Sequence, residues 1–159
     1  MTEIYEPSSE FLRAITSGDV PLSGSSWAES NLCRLVAMTH DADRSNRDWA
    51  TFLLSQADLD TSDVREALLQ ATEDDDENVR AEAIWGLAKR DRELALPLVH
   101  RALSAGSVTV PIIEAAALVA HSSLVADLLR FSAPSDRAYL DELIQAALTA
   151  CQTGQSTAL

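Results

Sequence analysis

A stretch of this chain is written twice, 33 residues apart, and that repetition narrows the folds open to it more than any other feature. When residues 31–56 (NLCRLVAMTHDADRSNRDWATFLLSQ) are laid on residues 64–89 (VREALLQATEDDDENVRAEAIWGLAK), Leu35 falls on Leu68, Val36 on Leu69 and Thr39 on Thr72. Asp41 falls on Asp74, Asp43 on Asp76, Arg47 on Arg80, Ala50 on Ala83, Phe52 on Trp85 and Leu54 on Leu87. The apolar matches carry little weight alone, because any two amphipathic helices share a periodic apolar stripe. The Asp–x–Asp and arginine matches fall where the stripe is interrupted, and they make the repeat credible. Self-similarity at such a period is the mark of stacked-repeat architectures.

Each copy reads as helix, short loop, helix. A third and weaker copy spans residues 96–120, with Val110-Pro111 over Val79-Arg80 and Leu118 over Leu87, a shift of 31, and without the arginine or the loop acids. A fourth is degenerate, a short helix near 122–131 and a longer one near 135–151. Degenerate ends suit a stack, whose terminal units must present a polar outer face. Ser26 and Glu29 have capping-box spacing, and Asp63 with Glu66 repeats it. Asp76-Glu77 place negative charge ahead of a helix over 78–90, and Gly106 follows one over 92–105. Pro111 suits the first turn of its helix, and Pro134 is read as opening the last one. Pro97 predicts a kink, or a helix start moved to 95 or 96. The predicted fold is all-α: an α-solenoid, or α-α superhelix, of about four helical hairpins over residues 26–151. Residues 1–25 form an N-terminal segment with a short capping helix over 9–17, and residues 152–159 a disordered tail.

The run Asp74-Asp-Asp-Glu-Asn-Val-Arg80-Ala-Glu-Ala83-Ile-Trp-Gly-Leu87 resembles the second helix of a HEAT-like repeat of the kind found in phycocyanobilin lyase subunits. That pattern is roughly D-x-x-x-x-VR-x-x-A-x-x-x-L. Val79, Arg80, Ala83 and Leu87 satisfy it, as do Asn46, Arg47, Ala50 and Leu54 with Asn in place of Val. The likeness covers residues 31–120. It implies that Asp41, Asp43, Arg47, Asp74, Asp76 and Arg80 form a structural ladder between neighbouring repeats. It also implies that the second helices line a concave inner surface. It does not specify activity, because such repeats serve enzymes, adaptors and scaffolds alike. No residue here is a candidate for the chromophore chemistry of the lyases.

On a helical wheel Val79, Ala83, Gly86 and Leu87 cluster on one side, where Gly86 allows the first helix to come close, and Trp85 points away. Phe52 holds the matching position one repeat earlier and Trp49 lies one step round. Trp49, Phe52 and Trp85, flanked by Asp48, Glu82 and Lys89, thus form a candidate partner-binding ridge on the concave face. The competing reading buries these aromatics against neighbouring helices.

Acidic residues outnumber Lys and Arg by 25 to 12, a formal charge of −13. Such a surface repels phosphate backbones, so no nucleic acid is expected as a partner. A basic protein would be attracted, although acidic surfaces also serve solubility alone. No apolar run approaches 18 residues, and MTEIYEPSSE has neither a basic start nor an apolar core of a signal peptide. No membrane span is expected, and the cytoplasm is the expected location. Cys33 and Cys151 are read as small buried hydrophobes. His40, His100 and His121 show no zinc spacing and no His-Glu pair, and Asp74–Glu77 lacks the spaced acids and glycine of a calcium loop. No nucleophile elbow, P-loop or dinucleotide motif occurs. No catalytic residue, metal or cofactor is assigned. The expected function is a non-enzymatic scaffold that binds a protein through its concave face. An accessory subunit of a lyase-like enzyme and a homo-oligomeric structural protein are the alternatives.

Overall fold

The structure is a computed structural model that describes residues 5–157; residues 1–4 of the N-terminal segment and 158–159 of the tail lie outside the described residues. It contains α1 (Glu10–Thr16), α2 (Ala28–Met38), α3 (Arg44–Gln56), α4 (Ser62–Ala71), α5 (Glu77–Arg90), α6 (Arg92–Ser104), α7 (Val110–Val119), α8 (Val125–Leu129) and α9 (Ala138–Thr153), with one 3-10 turn (Ser122–Leu124) leading into α8. Among the described residues there is no strand. Helices α2/α3, α4/α5, α6/α7 and α8/α9 form four successive hairpins. The second helices α3, α5, α7 and α9 pack side by side along their lengths, whereas the first helices barely touch one another. A stack that is tight in one layer and splayed in the other bends toward the tight layer, so α3, α5, α7 and α9 form the inner wall. Leu35, Leu54, Leu68, Leu87, Val99, Leu103 and Ile113 are fully buried between the layers.

The helix starts set the register. Asp43 caps α3 by accepting from Ser45 N, Asp76 caps α5 by accepting from Asn78 N and Val79 N, and Thr109 holds the cap position of α7. These caps follow one another at the same 33-residue spacing, so the third repeat keeps the period and the shift of 31 read from Val110-Pro111 is corrected. In this register Ser107 stands where Asp74 stands, Thr109 where Asp76 stands, and Leu118 where Trp85 stands. Thr109 makes no capping bond and its Oγ1 is buried without a partner among the described residues. The second residue of α7 is Pro111, which lacks the N–H that the first two caps bind.

Other local expectations change as well. α2 opens at Ala28 without a side-chain cap, so the Ser26 box does not form, and Thr61 rather than Asp63 caps α4 by accepting from Val64 N at 3.3 Å. Asp91 caps α6 at Leu94 N, which starts that helix ahead of Pro97 and leaves the proline inside it. Pro134 lies upstream of α9, which begins at Ala138. Cys151 is buried with its Sγ 3.4 Å from the Ala116 carbonyl, but Cys33 is exposed, because it lines an open cleft between α2 and α4 with Glu66 and Gln70 across from it. Past α9, the Thr157 N–H donates to the Ala117 carbonyl at 3.2 Å.

Candidate functional site

Two sets of side chains were singled out by the sequence, and the structure places them in different parts of the stack. The acids of the repeat lie in the loops that join the two helices of a hairpin, and the arginines in the first turn of the helix that follows. Arg47 reaches across to the next loop, donating from Nε to Asp74 Oδ2 at 2.8 Å and from Nη2 to Asp74 Oδ1 at 3.1 Å, with Asp75 Oδ1 at 2.7 Å. Its Nη1 holds its own loop through the Asp41 carbonyl at 3.2 Å. Such a bidentate guanidinium–carboxylate pair fixes geometry as well as charge. Burial pushes the Asp74 carboxyl up, but the Arg47 fork and the Asp76 N–H outweigh it and hold the carboxyl below its ordinary range. Asp41 accepts from Asp43 N within its own loop, Asp43 accepts from Ser45 N and, at 2.7 Å, from Ser8 Oγ of the N-terminal segment, and Asp76 caps α5 while accepting from Arg44 Nη1 at 3.1 Å. Arg80 donates from Nη1 to the carbonyls of Asp74 and Asp75 at 2.8 and 2.9 Å and meets no carboxylate among the described residues. The bidentate Arg–Asp link therefore joins the first two full repeats and stops there.

The aromatic set lies toward the inner wall. Trp49 and Phe52 meet edge to face at 5.7 Å between ring centroids. Tyr5 stacks on Trp49 at 6.0 Å and its hydroxyl donates to Asp48 Oδ2 at 2.7 Å, so the N-terminal segment crosses this end of the ridge. That crossing is anchored at Asn46, the residue that departs from the repeat pattern. Asn46 Oδ1 accepts from Ser9 N and from Ser8 Oγ, each at 3.0 Å, and valine there would offer no acceptor. Trp49 is thus covered by the chain's own N-terminal segment, and its Nε1 is buried without a partner among the described residues. Trp85 and Phe52 are half-buried, and Trp85 packs on the core with the Lys89 ammonium 4.7 Å from its ring centroid.

Beside these rings runs a column of carboxylates, Asp48 of α3, Glu82 of α5 and Glu114 of α7. Burial, then the neighbouring Asp48 and Glu114 charges, push the Glu82 carboxyl up to about 7. Asp48 is raised by burial despite the Tyr5 hydrogen bond, and Glu114 is raised by burial. None of the three is in an ion pair among the described residues. Glu114 escaped the sequence reading because its repeat position holds Ala81 in the preceding copy. Its signal was there nonetheless, as the single charged residue of the helix VPIIEAAALV.

Arg90 was missed for a different reason, since its counterpart in the first copy is Ala57. It donates from Nε to the Leu59 carbonyl, from Nη1 to Ser55 and Gly86, and from Nη2 to Leu54 and Ala57, at 2.6–3.2 Å. Those carbonyls include the orphan acceptors of the α3 C-terminus, where a cation also meets the negative end of the helix dipole.

One further cluster sits where α6 meets α8. His100 Nδ1 lies 2.6 Å from Asp127 Oδ2 and its Nε2 2.8 Å from Ser123 Oγ. This order of groups is that of an acyl-transfer triad. Ser123 Oγ is, however, shared with His121 Nδ1 at 2.7 Å, and neither of the clefts of about 320 and 610 Å³ reaches it. We read the cluster as a polar clasp between α6 and α8. Among the described residues no group of three or more His, Cys, Asp or Glu side chains is placed to hold a metal ion, and no helix is long and apolar enough to cross a membrane.

Known proteins share this fold. Residues 34–120 match the HEAT repeats family. Protein YibA of Escherichia coli K12 is 32% identical over 91 residues, 57% of this chain and 32% of YibA, and YibA of Escherichia coli O157:H7 matches equally. The X-ray structure of Escherichia coli YibA superposes with a TM-score of 0.61 at 23% identity, over 88% of this chain and 54% of that one. The chain therefore spans about a third of the curated relatives' length by sequence and about half by structure. The repeat register, the loop Asp–Arg pairing and the family match agree, and the chain belongs to the HEAT-repeat family.

Proposed function

We propose that the chain is a protein-binding scaffold whose inner face, built by α3, α5 and α7, receives a basic segment of a partner protein. The observation that carries this reading is the column Asp48, Glu82 and Glu114, half-buried and in no ion pair among the described residues, with Arg44 near Asp48 alone. A carboxylate held near 7 by burial and by two like charges gains most from an arriving Lys or Arg, because the cation relieves the repulsion and restores the charged form. Half-buried Phe52, Trp85 and Leu118, in matching repeat positions beside the column, supply apolar contact for the stem of such a side chain. The finer kinship with phycocyanobilin-lyase-type repeats, suggested by Val79, Arg80, Ala83 and Leu87, and a cytoplasmic location belong to the same proposal.

Capture from native lysate tests it, with wild type and a Glu82→Gln, Glu114→Gln variant run side by side at low and high salt. The reading expects one protein retained by wild type at low salt, released by high salt and lost from the variant. Equal recovery on both baits contradicts it. Recovery of the chain alone, with a dimer mass in solution, favours the homo-oligomeric alternative.

A further inference from the structure

Arg47 and Arg80 adopt the same pose. Each clamps two carbonyls of its own loop with Nη1: Asp41 and Ala42 for Arg47, Asp74 and Asp75 for Arg80. With that edge fixed, the remaining edge of the fork, Nε and Nη2, faces the next hairpin's loop. For Arg47 it meets both oxygens of Asp74. For Arg80 the caps Asp76 and Thr109 place Ser107 at the equivalent position. Ser107 is too short to reach the fork as a carboxylate would, and its hydroxyl donates instead to Glu77 Oε1 at 2.7 Å. The surface opens there into a cleft of about 320 Å³, walled by Arg80, Ser107 and Arg101, with Ala81, Ile84 and Ile112 among its apolar lining. The cleft occupies the place of the missing carboxylate.

We propose that this cleft binds a carboxylate, seated bidentately on the Nε and Nη2 edge of Arg80, with a short aliphatic body against Ile84 and Ile112. The charge balance inside the cleft is the main opposing effect. Asp74 is engaged by Arg47, and Glu73 by Arg101 at 2.6 Å. Glu77 is the one lining acid in no ion pair among the described residues, so it repels the ligand and sets its affinity. The site lies in the loops between the second and third hairpins, apart from the inner-wall acids, and stands whether or not the inner face binds a basic segment.

Two probes separate the sources of such a group: 3-methylbutanoate for a free small acid, and N-acetyl-aspartate N-methylamide for an acidic side chain on a partner. Each is titrated into the full chain while the Arg80 Nε–Hε and Ser107 amide resonances are followed by NMR. At least one probe gives a saturable shift of both signals. The tighter one names the source. Ser107→Asp, which supplies the carboxylate internally, and Arg80→Lys, which keeps the charge and loses the fork, each weaken binding by about ten- to a hundredfold. Glu77→Gln tightens it. The proposal is overturned if neither probe saturates, or if Ser107→Asp and Arg80→Lys both bind as wild type does.

Discussion

Helices α3 and α5 lie against each other as extensively as α5 and α7 do, but the two seams are made of different chemistry. The α3/α5 seam is fastened at three heights. At the loop end Arg47 holds Asp74. In the upper half Gly86 lets the helices approach so closely that a Cβ there would sit 2.7 Å from the Ser55 Cβ and 3.1 Å from Leu68 Cδ1. At the far end Arg90 gathers the carbonyls of the α3 C-terminus. Among the described residues no ion pair joins α5 to α7 or to the loop before it, and the one side-chain hydrogen bond across this seam is that of Ser107 Oγ to Glu77 Oε1 at the loop end. Residues such as Ile84, Ile112 and Ile113 are buried there, and the arginine at the loop end has lost its acid. The repeat period fixes how far apart the helices stand, and each seam is then closed by whatever its own residues allow. The polar seam is specific in register, while the apolar seam leaves an arginine and a cleft open to something else.

The largest effect is expected at the far end of the polar seam. Arg90→Ala strands several buried carbonyls at once and costs about 3 kcal/mol in chemical denaturation, with little change in high salt because the group is half-buried. Next is Gly86→Ala. The gain in helix propensity, about 1 kcal/mol, is outweighed by overpacking of roughly 2–3 kcal/mol. Ser55→Gly in the same chain restores part of the loss, whereas the same glycine substitution in wild type does not stabilise. A smaller effect separates the arginines: Arg47→Gln costs about 1–2 kcal/mol, and Arg80→Gln, which loses only bonds to carbonyls, about half of that.

The inner-wall acids give a dependence on pH. Glu82 is raised in the folded chain to about 7 from its ordinary 4.5, so between those values the folded state holds a proton that the unfolded state has released. Stability contributed by the neutral form is therefore present below pH 4.5 and declines as pH rises toward 7. Glu82→Gln stabilises at pH 8, on the order of 2 kcal/mol, and is nearly neutral at pH 4. Asp74 runs the other way. Held low by Arg47 and Asp76 N–H against the push of burial, it stabilises above the ordinary carboxylate range, and that contribution is lost as pH falls through its depressed value. Thermal melts of E82Q and wild type across this range, read together, separate the two slopes.

How far the sequence reached follows from the same contrast. The helical hairpins, their number and the all-α class were readable because apolar period and loop acids recur together. Arg47 and Asp74 were readable because they recur. Arg90, Glu114 and Asn46 were not, since each acts through a contact made once: a capped helix end, a charge facing Glu82 on the neighbouring helix, an anchor for residues 8 and 9. The third repeat was set two residues out of place because Val110-Pro111 imitates Val79-Arg80 in its valine, while the cap that fixes the register, Thr109, carries no acid to match. Trp49 was placed on the open ridge because no pattern foretells that residue 5 will lie across it.

The difference between the seams is tested most directly by exchanging their loop residues and measuring Tm. Asp74→Ser opens the first rung and lowers Tm by on the order of 5 °C, whereas Ser107→Asp closes the second and raises it by roughly 2–3 °C. A Ser107→Asp chain that melts at or below the wild-type temperature would contradict the account, because Arg80 would then not be waiting for a carboxylate at that position.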